Sequence, residues 1–256
     1  MERASTEGSY KRILITGSTD GVGRATADAL LDDFHRVVMH ARTTARLAAV
    51  QDLIDRGAEA IVGDLSDVHE VHDLIEQANS LGPFDAVVHN AGVLHGAVLP
   101  VNVTAPYLMT AGIERPGRQI YLSSSMHRGG HPNLSGVDWT GERETHSYSD
   151  AKLFVTALMA AVARIRPDVV AHAVDPGWVP TRMGGPGASD NLDLAHVTQA
   201  WLATTANPEA LVSGRYWHHQ KTEKPHPAVH DKGFQNELLS SLYEQTNVAL
   251  AVGPGG

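Results

Sequence analysis

Short apolar segments rich in β-branched residues alternate along this chain with longer segments in which apolar residues recur at helical spacing. The short segments predict strands at 12–16, 36–40, 59–62, 85–89, 119–123 and 169–174. The longer segments predict helices at 22–34, 44–56, 68–81, 101–113 and 148–165. The strand segments are apolar throughout, as parallel strands buried on both faces are.

Strict alternation of strands and helices is typical of βαβ units. The sequence therefore predicts an α/β fold of the Rossmann type, with a doubly wound, mostly parallel sheet flanked by helices on both faces. We expect a single domain over residues 11–250, a polar N-terminal tail at 1–10 and a flexible tail at 251–256. Two segments rich in Gly, Pro and polar residues, 127–147 and 178–196, are predicted loops that could act as lids.

The amino-acid composition excludes several classes of function. The chain has 256 residues, a formal net charge of −9 and no basic run, which argues against a nucleic-acid partner. It has no cysteine, so thiol catalysis is excluded. The polar start lacks the apolar core of a signal peptide, and no apolar run is long enough to span a bilayer, so we expect a cytoplasmic protein. Of the four histidines His218, His219, His226 and His230, only the last two have the spacing of a helical ligand pair, and they straddle Pro227. No nearby acid has the usual ligand spacing, so no metal site is predicted.

A glycine-rich turn follows the first predicted strand. It reads Thr16-Gly17-Ser18-Thr19-Asp20-Gly21-Val22-Gly23 and leads into the first helix. Gly17 suits a tight turn, Gly21 lets backbone N–H groups approach a pyrophosphate, and Gly23 allows close packing of helix and strand. This pattern predicts a dinucleotide site at the first strand–helix junction.

The ends of the next three strands refine that prediction. Arg42 after the second strand suits a 2′-phosphate and favours NADP(H), with NAD(H) still possible, although Asp20 in the glycine turn does not help an extra phosphate. Asp64, followed by Leu65, could accept a hydrogen bond from adenine or cap the next helix. Small residues in Asn90-Ala91-Gly92 would let the backbone lie against the cofactor, and Asn90 could also be purely architectural.

Tyr148 and Lys152 lie one helical turn apart, on the same helix face. A phenol with its ordinary pKa is a poor base at neutral pH, and a neighbouring cation would lower that pKa. Such a phenol could exchange a proton with an alcohol or carbonyl oxygen.

Together these residues resemble the short-chain dehydrogenase/reductase superfamily in its single-domain form. The matches are T-G-x-x-x-G-x-G at 16–23, N-A-G at 90–92, Asn102, Ser124, Y-x-x-x-K at 148–152 and Pro176-Gly177, in the family's order. The stretch Ser123-Ser124-Ser125-Met126-His127-Arg128 resembles the retinol-dehydrogenase-like branch. Two departures are His89, where the family usually has Asn, and Asp20, where a basic residue is common.

The resemblance implies roles for individual residues. Tyr148 would be the general acid/base, Lys152 would lower its pKa and bind the nicotinamide ribose, and Ser124, with Ser125 as the register alternative, would bind the substrate oxygen. Asn102 would hold a water molecule that links Lys152 to solvent. The carboxamide end of the cofactor would contact Pro176, Gly177, Val179 and Thr181.

We therefore expect an NADP(H)-dependent oxidoreductase that interconverts a hydroxyl and a carbonyl group on a small, largely apolar alcohol, ketone or aldehyde. Met126, Trp139, Trp178 and Met183 could supply an apolar pocket. The alternative is a non-catalytic NADP(H)-sensing regulatory protein on the same fold. A sugar-nucleotide epimerase is disfavoured because little chain follows residue 190. Pairing into a homodimer is possible.

Overall fold

The computed structural model describes residues 10–251, and its centre is one sheet of eight strands. The strands are β1 (Arg12–Ile15), β2 (Arg36–Ala41), β3 (Glu59–Val62), β4 (Ala86–His89), β5 (Arg118–Leu122), β6 (Val170–Asp175), β7 (Arg215–His218) and β8 (Lys221–Glu223). Their order across the sheet is β3-β2-β1-β4-β5-β6-β7-β8. All neighbouring pairs are parallel except β7 and β8, which are antiparallel.

Helices cover both faces of this sheet. They are α1 (Gly21–Asp32), α2 (Gln51–Asp55), α3 (Val68–Leu81), α4 (Ala105–Gly112), α5 (Tyr148–Ile165), α6 (Val197–Thr204) and α7 (Lys232–Thr246). Side-chain caps define where several of them begin. Asp67 accepts hydrogen bonds from the first turn of α3, and Ser147 forms a reciprocal capping box with Asp150 at the start of α5.

Alternation along each strand sends side chains to two separate cores. In β1, Leu14 packs in the core formed with α3, α4, α5 and α7, whereas Ile13 and Ile15 pack in the core formed with α1, α2 and α6. The fold class expected from the sequence is therefore confirmed. Among residues 10–251, no helix combines the length and apolar character needed to cross a membrane.

The chain reverses its direction of travel across the sheet at β1, which pairs with β2 on one side and β4 on the other. The connections on either side of this switch point run to opposite faces of the sheet. They leave a crevice at the carboxyl ends of the strands, where ligands bind in open α/β sheets. The order of the strands alone therefore predicts a ligand site in this crevice.

Three parts of the structure differ from the prediction. The segment predicted as a helix at 44–56 is a 3₁₀ turn, Thr44–Val50, followed by the short α2, since only Val50 and Leu53 are buried. The helix predicted at 101–113 starts with a π-helical turn, Pro100–Thr104, before α4. The strands and helices after residue 190 were not predicted, because β7 and β8 are only four and three residues long and α7 carries a mostly polar surface.

The two predicted tails lie outside the described residues, apart from Tyr10 and Ala251. The predicted loop 127–147 shows no helix or strand beyond the 3₁₀ turn Ser125–Gly129. It is anchored by Trp139, which is buried against Phe154 and donates a hydrogen bond from Nε1 to Ser241 Oγ at 2.8 Å. The loop 178–196 contains one 3₁₀ turn, Leu192–Leu194.

Candidate active site

An open cleft of about 930 Å³ lies at the carboxyl ends of the central strands. Most of the predicted cofactor and catalytic residues line it: Gly17, Thr19, Asp20, Gly21, Val22, Gly23, Arg42, Asp64, Leu65, Asn90, Ala91, Gly92, Tyr148, Lys152, Pro176 and Thr181. The cleft also has lining residues that the sequence analysis did not single out, among them His40, Arg46 and Arg182. The predicted residues Ser18, Asn102, Ser124, Gly177 and Val179 are not part of its lining.

Close packing explains why positions 17 and 23 of the turn are glycine. Gly17 has φ +62°, and a Cβ there would lie 2.9 Å from the Cα of Ala91. A Cβ on Gly23 would run into the Asn90 amide. That amide donates from Nδ2 to the Thr16 carbonyl at 2.9 Å and to the Gly17 carbonyl at 3.1 Å. Asn90 therefore has the architectural role left open by the sequence, and it also lines the cleft.

Ser18 and His40 hold the turn from behind. The buried Ser18 hydroxyl donates to the Ile15 carbonyl at 2.9 Å and accepts from the His40 N–H at 2.9 Å. The His40 ring accepts from the Gly17 N–H at Nδ1 and donates from Nε2 to the Gly63 carbonyl. Burial lowers the pKa of His40, which favours this neutral ring. The Ser18 hydroxyl is thus part of the support beneath the turn, and a contact between Ser18 and the cofactor stays a prediction.

Arg42 and Asp64 form an ion pair at the rim of the cleft, with Arg42 Nη2 2.7 Å from Asp64 Oδ2. Burial works to raise the pKa of Asp64, but hydrogen bonds from Ser66 and Arg42 outweigh it and hold that pKa below its usual value. The Arg42 side chain is 68% exposed. The guanidinium group can therefore bind an anionic group at the rim of the cleft in addition to Asp64.

Asp20 is neutralised by two arginines. Its carboxylate accepts from the Gly21 N–H at 2.8 Å, lies 2.9 Å from Arg182 Nη2 and lies 3.8 Å from Arg46 Nη2. Arg46 also donates from Nε to the Thr19 hydroxyl at 3.1 Å. The acid that argued against NADP(H) in the sequence thus sits among cations. Arg46 could have been found from its position one turn beyond Arg42.

The structure separates the three consecutive serines after β5. Ser123 is buried, and its hydroxyl shares a 2.7 Å hydrogen bond with Thr156 in α5. Ser125 is exposed. Ser124 accepts from the Met126 N–H at 3.2 Å, and its hydroxyl works to lower the pKa of the Tyr148 phenol. Of the three hydroxyls, that of Ser124 lies beside the phenol.

Tyr148 and Lys152 both start from the first turns of α5, as the sequence indicated. Lys152 is only 4% exposed, and its ammonium lies 5.4 Å from the centre of the Tyr148 ring. It donates a 2.7 Å hydrogen bond to the Leu122 carbonyl at the end of β5. A Cβ on Gly92 would lie 3.5 Å from this ammonium, so the N-A-G turn closes around it.

Burial dominates the acidity of both groups. It lowers the pKa of Lys152 to about 8, against the opposing charge of Asp175. It raises the pKa of Tyr148 well above its usual value, and Asp175 adds to that rise while Ser124 opposes it. The expected lowering of the Tyr148 pKa by Lys152 is therefore not seen here, because burial disfavours the phenolate and sets the direction of the shift.

Asn102 lies within the π-helical turn, a feature often found at functional sites. It is 1% exposed and binds backbone, donating from Nδ2 to the Val93 carbonyl at 2.9 Å and the Val98 carbonyl at 2.8 Å. A Cβ on Gly92 would lie 2.7 Å from its Oδ1. Asn102 thus approaches the same glycine as Lys152, and its binding of a water molecule stays a prediction.

The loop after β6 reaches across to the glycine turn. Thr181 lines the cleft, and a Cβ on Gly21 would lie 3.2 Å from its methyl group. Pro176 also lines the cleft. Gly177 donates its N–H to Asp175 at 2.9 Å, and Val179 is buried, so these two shape the loop.

Apolar side chains line the far end of the cleft: Val93, Leu94, Ala97, Val101 and Met183. Trp178 lies five residues before Met183 in the chain and is 57% exposed. Its Nε1 donates to the Gly184 carbonyl at 3.0 Å. Met126 is exposed as well. Trp139, the fourth residue predicted for this pocket, is buried in the core instead because its ring packs on Phe154.

The donor set fits a dinucleotide. The turn at Gly17 and Gly21 precedes a helix N-terminus, which suits a pyrophosphate, and Arg42 with Arg46 suits an additional phosphate at the other rim. Glycines let a ligand approach the backbone closely. Among residues 10–251, no group of three or more His, Asp or Glu is arranged to hold a metal ion.

Comparison with known proteins identifies the family. Residues 11–114 match the family model described as short chain dehydrogenase. An uncharacterized oxidoreductase of Emericella nidulans is 38% identical over 96% of this chain and 99% of its own length. The short-chain dehydrogenase chyC of Penicillium rubens is 34% identical over 93% of this chain and 98% of its own. The chain belongs to the short-chain dehydrogenase family.

Solved structures agree on the fold. An uncharacterized protein from Mycobacterium paratuberculosis matches with a TM-score of 0.76 at 19% identity, over 94% of this chain and 95% of that one. A protein described as a short-chain dehydrogenase of Shigella flexneri, complexed with NADP, matches at 0.67 and 20% identity over 82% and 97%. A 3-ketoacyl-(acyl-carrier-protein) reductase from Brucella melitensis, complexed with NADH, matches at 0.64 and 22% over 81% and 96%.

These matches confirm the predicted superfamily and the predicted enzyme class, an oxidoreductase of CH–OH and C=O groups. The non-catalytic alternative is not favoured. The retinol-dehydrogenase-like branch has partial support from dehydrogenase/reductase SDR family member 13 of Bos taurus, which is 25% identical over 94% of this chain and 74% of its own.

Proposed function

We propose that this protein is an NADP(H)-dependent oxidoreductase that interconverts a hydroxyl and a carbonyl group on a small, largely apolar substrate, with Tyr148 as general acid/base. One observation carries the proposal. The Tyr148 phenol and the buried Lys152 ammonium lie together on the wall of a glycine-lined cleft, with the Ser124 hydroxyl beside the phenol. When bound, the nicotinamide supplies or accepts the hydride.

The chain's own residues supply the proton and the orientation. Tyr148 donates its hydroxyl hydrogen to the substrate oxygen in reduction and takes a proton from it in oxidation. Ser124 binds that same oxygen and stabilises charge that develops on it. Lys152, held by the Leu122 carbonyl, keeps a positive charge next to the phenol and binds the ribose. Asn102 holds the water that connects Lys152 to solvent.

Charge at the rim supports the preference for NADP(H). Arg42 and Arg46 both line the cleft, and Arg42 is largely exposed. Asp20, the residue that weakened this argument, is paired with Arg182 and Arg46. A 2′-phosphate would therefore enter a positive region, which is the arrangement expected for NADP(H) rather than NAD(H).

The test compares the rate of NADPH consumption by wild-type protein with that of a variant that lacks only the phenol oxygen of Tyr148. Wild-type protein should consume NADPH with at least one member of a panel of small aliphatic and aromatic ketones and aldehydes. Tyr148→Phe should lower kcat/KM about 10²- to 10⁴-fold while leaving the affinity for NADPH within a few-fold, because the ring remains and only the proton donor is lost. Equal turnover by the two proteins would refute the assignment of Tyr148. Cytoplasmic location and homodimer formation stay predictions.

A further inference from the structure

Asp175 is a buried carboxylate at the end of β6, 5% exposed, that the family pattern above does not include. Side-chain alternation along β6 fixes its direction. Ala171 and Ala173 pack in the core with α5, whereas Val174 packs on the opposite face. Asp175 therefore lies on the face covered by α5, the helix that carries Tyr148 and Lys152.

The neighbouring strand brings this carboxylate close to the site. The Ser123 N–H at the end of β5 donates to the Val174 carbonyl at 2.7 Å, immediately before Asp175. The residue before Ser123, Leu122, supplies the carbonyl that binds the Lys152 ammonium. Asp175 and the carbonyl that binds Lys152 thus lie at the same ends of two paired strands.

Both oxygens of Asp175 have a donor. The Tyr216 hydroxyl donates to Oδ2 at 3.1 Å and the Gly177 N–H donates to Oδ1 at 2.9 Å, while His218 Nδ1 lies 3.8 Å from Oδ2. Tyr216 is itself fixed by the His127 ring, whose centre is 4.6 Å away, and by burial in the core. The carboxylate is therefore held in one position.

Titratable groups lie near Asp175 on three of the elements around it: Tyr148 and Lys152 from α5, His127 from the 3₁₀ turn Ser125–Gly129, and Tyr216 and His218 from β7. Arg128 and Glu223 lie beyond Tyr216, and Asp190 binds the Trp178 N–H in the loop after β6. Of these, Arg128 lies over the Tyr216 ring and is paired with Glu223. The negative charge of Asp175 raises the pKa of Lys152 against the larger effect of burial.

We propose that Asp175 is a positioning residue whose negative charge keeps both Lys152 and Tyr148 in their proton-bearing forms, and so favours carbonyl reduction. The inference rests on the proposed function for its catalytic meaning. An anion stabilises the neighbouring ammonium and opposes a neighbouring phenolate, so both effects have the same sign. Reduction needs Tyr148 to donate its hydroxyl hydrogen to the substrate oxygen, and Asp175 keeps that hydrogen in place to higher pH.

Lys152 can be titrated directly, without turnover. The chain has only five lysines, Lys11, Lys152, Lys221, Lys224 and Lys232. In protein labelled with ¹³C at lysine Cε, the Lys152 signal, assigned with Lys152→Met, should titrate near the pKa of about 8 given by its burial. Asp175→Asn should move that midpoint down by about one unit, because an opposite charge is lost with little change of shape. An unchanged midpoint would overturn the proposal.

Two further variants separate charge from structure. Asp190→Asn removes a carboxylate from the same loop, where it binds the Trp178 N–H, and should leave the Lys152 midpoint unchanged. Asp175→Glu keeps the charge and should restore most of the shift seen in Asp175→Asn. An equal shift in Asp190→Asn, or no restoration by Asp175→Glu in folded protein, would mean that the loop rather than the charge is responsible.

The pH dependence of catalysis completes the test. In Asp175→Asn, the alkaline limb of kcat/KM for carbonyl reduction should move to lower pH by about one unit, since both groups lose their protons earlier. A limb that stays in place while the Lys152 midpoint moves would overturn the bias towards reduction. If wild-type protein reduces no carbonyl, the proposed function fails, while the lysine titration still decides whether Asp175 sets the charge of Lys152.

Discussion

The two walls of the cleft are built in different ways. The cofactor wall, formed by Gly17, Asp20, Gly21, Arg42, Asp64 and Asn90, consists of backbone turns and strand ends. The catalytic wall, formed by Tyr148 and Lys152 with Ser124 and Asp175 next to them, depends on side chains that are far apart in the sequence. Tyr216, for example, binds Asp175 across 41 positions. The first wall follows from local sequence, and the second requires the tertiary fold.

The same contrast appears in the charges. On the cofactor wall, carboxylates and guanidinium groups are partly exposed and paired, as Arg42 and Asp64 are. On the catalytic wall, the ammonium of Lys152 is almost fully buried, so its pKa falls towards neutrality. Substitutions on the first wall should therefore change affinity for the cofactor, and those on the second should change rate and pH dependence.

The largest expected effect belongs to the catalytic wall. Ser124→Ala should lower kcat about 10²- to 10³-fold for carbonyl reduction, because the substrate oxygen loses a hydrogen-bond donor. Steady-state kinetics at saturating NADPH would measure it. Ser123→Ala is the matched control, since the Ser123 hydroxyl is bonded to Thr156, and its kcat should change only a few-fold. A larger loss in Ser123→Ala than in Ser124→Ala would reverse the assignment.

The contrast between the walls also explains what the sequence could predict. The glycine turn, Arg42 and Asp64 each lie within a few residues of the end of a strand. Their positions therefore follow from periodicity and spacing. Asp175 precedes Pro176 without any local sign of its role, and its partner Tyr216 lies on β7, a strand of four residues that periodicity does not reveal. Motif spacing also does not report that the Ser18 hydroxyl points away from the cleft, towards the Ile15 carbonyl.

Acid should weaken the strands beneath both walls. Burial lowers the pKa of His89, in β4, and of His172, in β6, to about 4, so each ring is neutral in the folded chain. The unfolded chain binds protons from about pH 6.5 down, so stability present above that pH is lost as pH falls towards 4. Each histidine contributes a loss of about 3 kcal/mol, measurable by urea unfolding between pH 7 and 4.

Single substitutions would show how much of this loss of stability comes from His89 and how much from His172. His89→Gln and His172→Gln should each flatten the fall in stability with pH, whatever their effect at neutral pH. His69→Gln changes an exposed residue and should stay within about 0.5 kcal/mol of wild type. If neither buried variant flattens the curve, neutral burial of these rings is not the cause of acid sensitivity.

Arg42→Asp tests the cofactor wall. The substitution should weaken NADPH binding about 10- to 100-fold and reverse the preference to NADH, because charged hydrogen bonds to the extra phosphate are lost. Fluorescence titration with both cofactors measures this. Arg36→Asp is the matched control, since Arg36 begins the same strand at its opposite end and is exposed. Equal affinities for the two cofactors in both wild type and Arg42→Asp would refute the role of Arg42.

The smallest effect tests whether the loop 127–147 belongs to the scaffold or to the catalytic wall. Trp139→Phe keeps an aromatic ring against Phe154 but removes the hydrogen bond to Ser241, so it should cost about 1 kcal/mol of unfolding free energy. KM for the substrate should not change. Trp178→Phe should do the opposite, raising KM with little loss of stability, because Trp178 is exposed in the loop that carries Thr181 and Met183. A rise in KM for Trp139→Phe at unchanged stability would make 127–147 a lid after all.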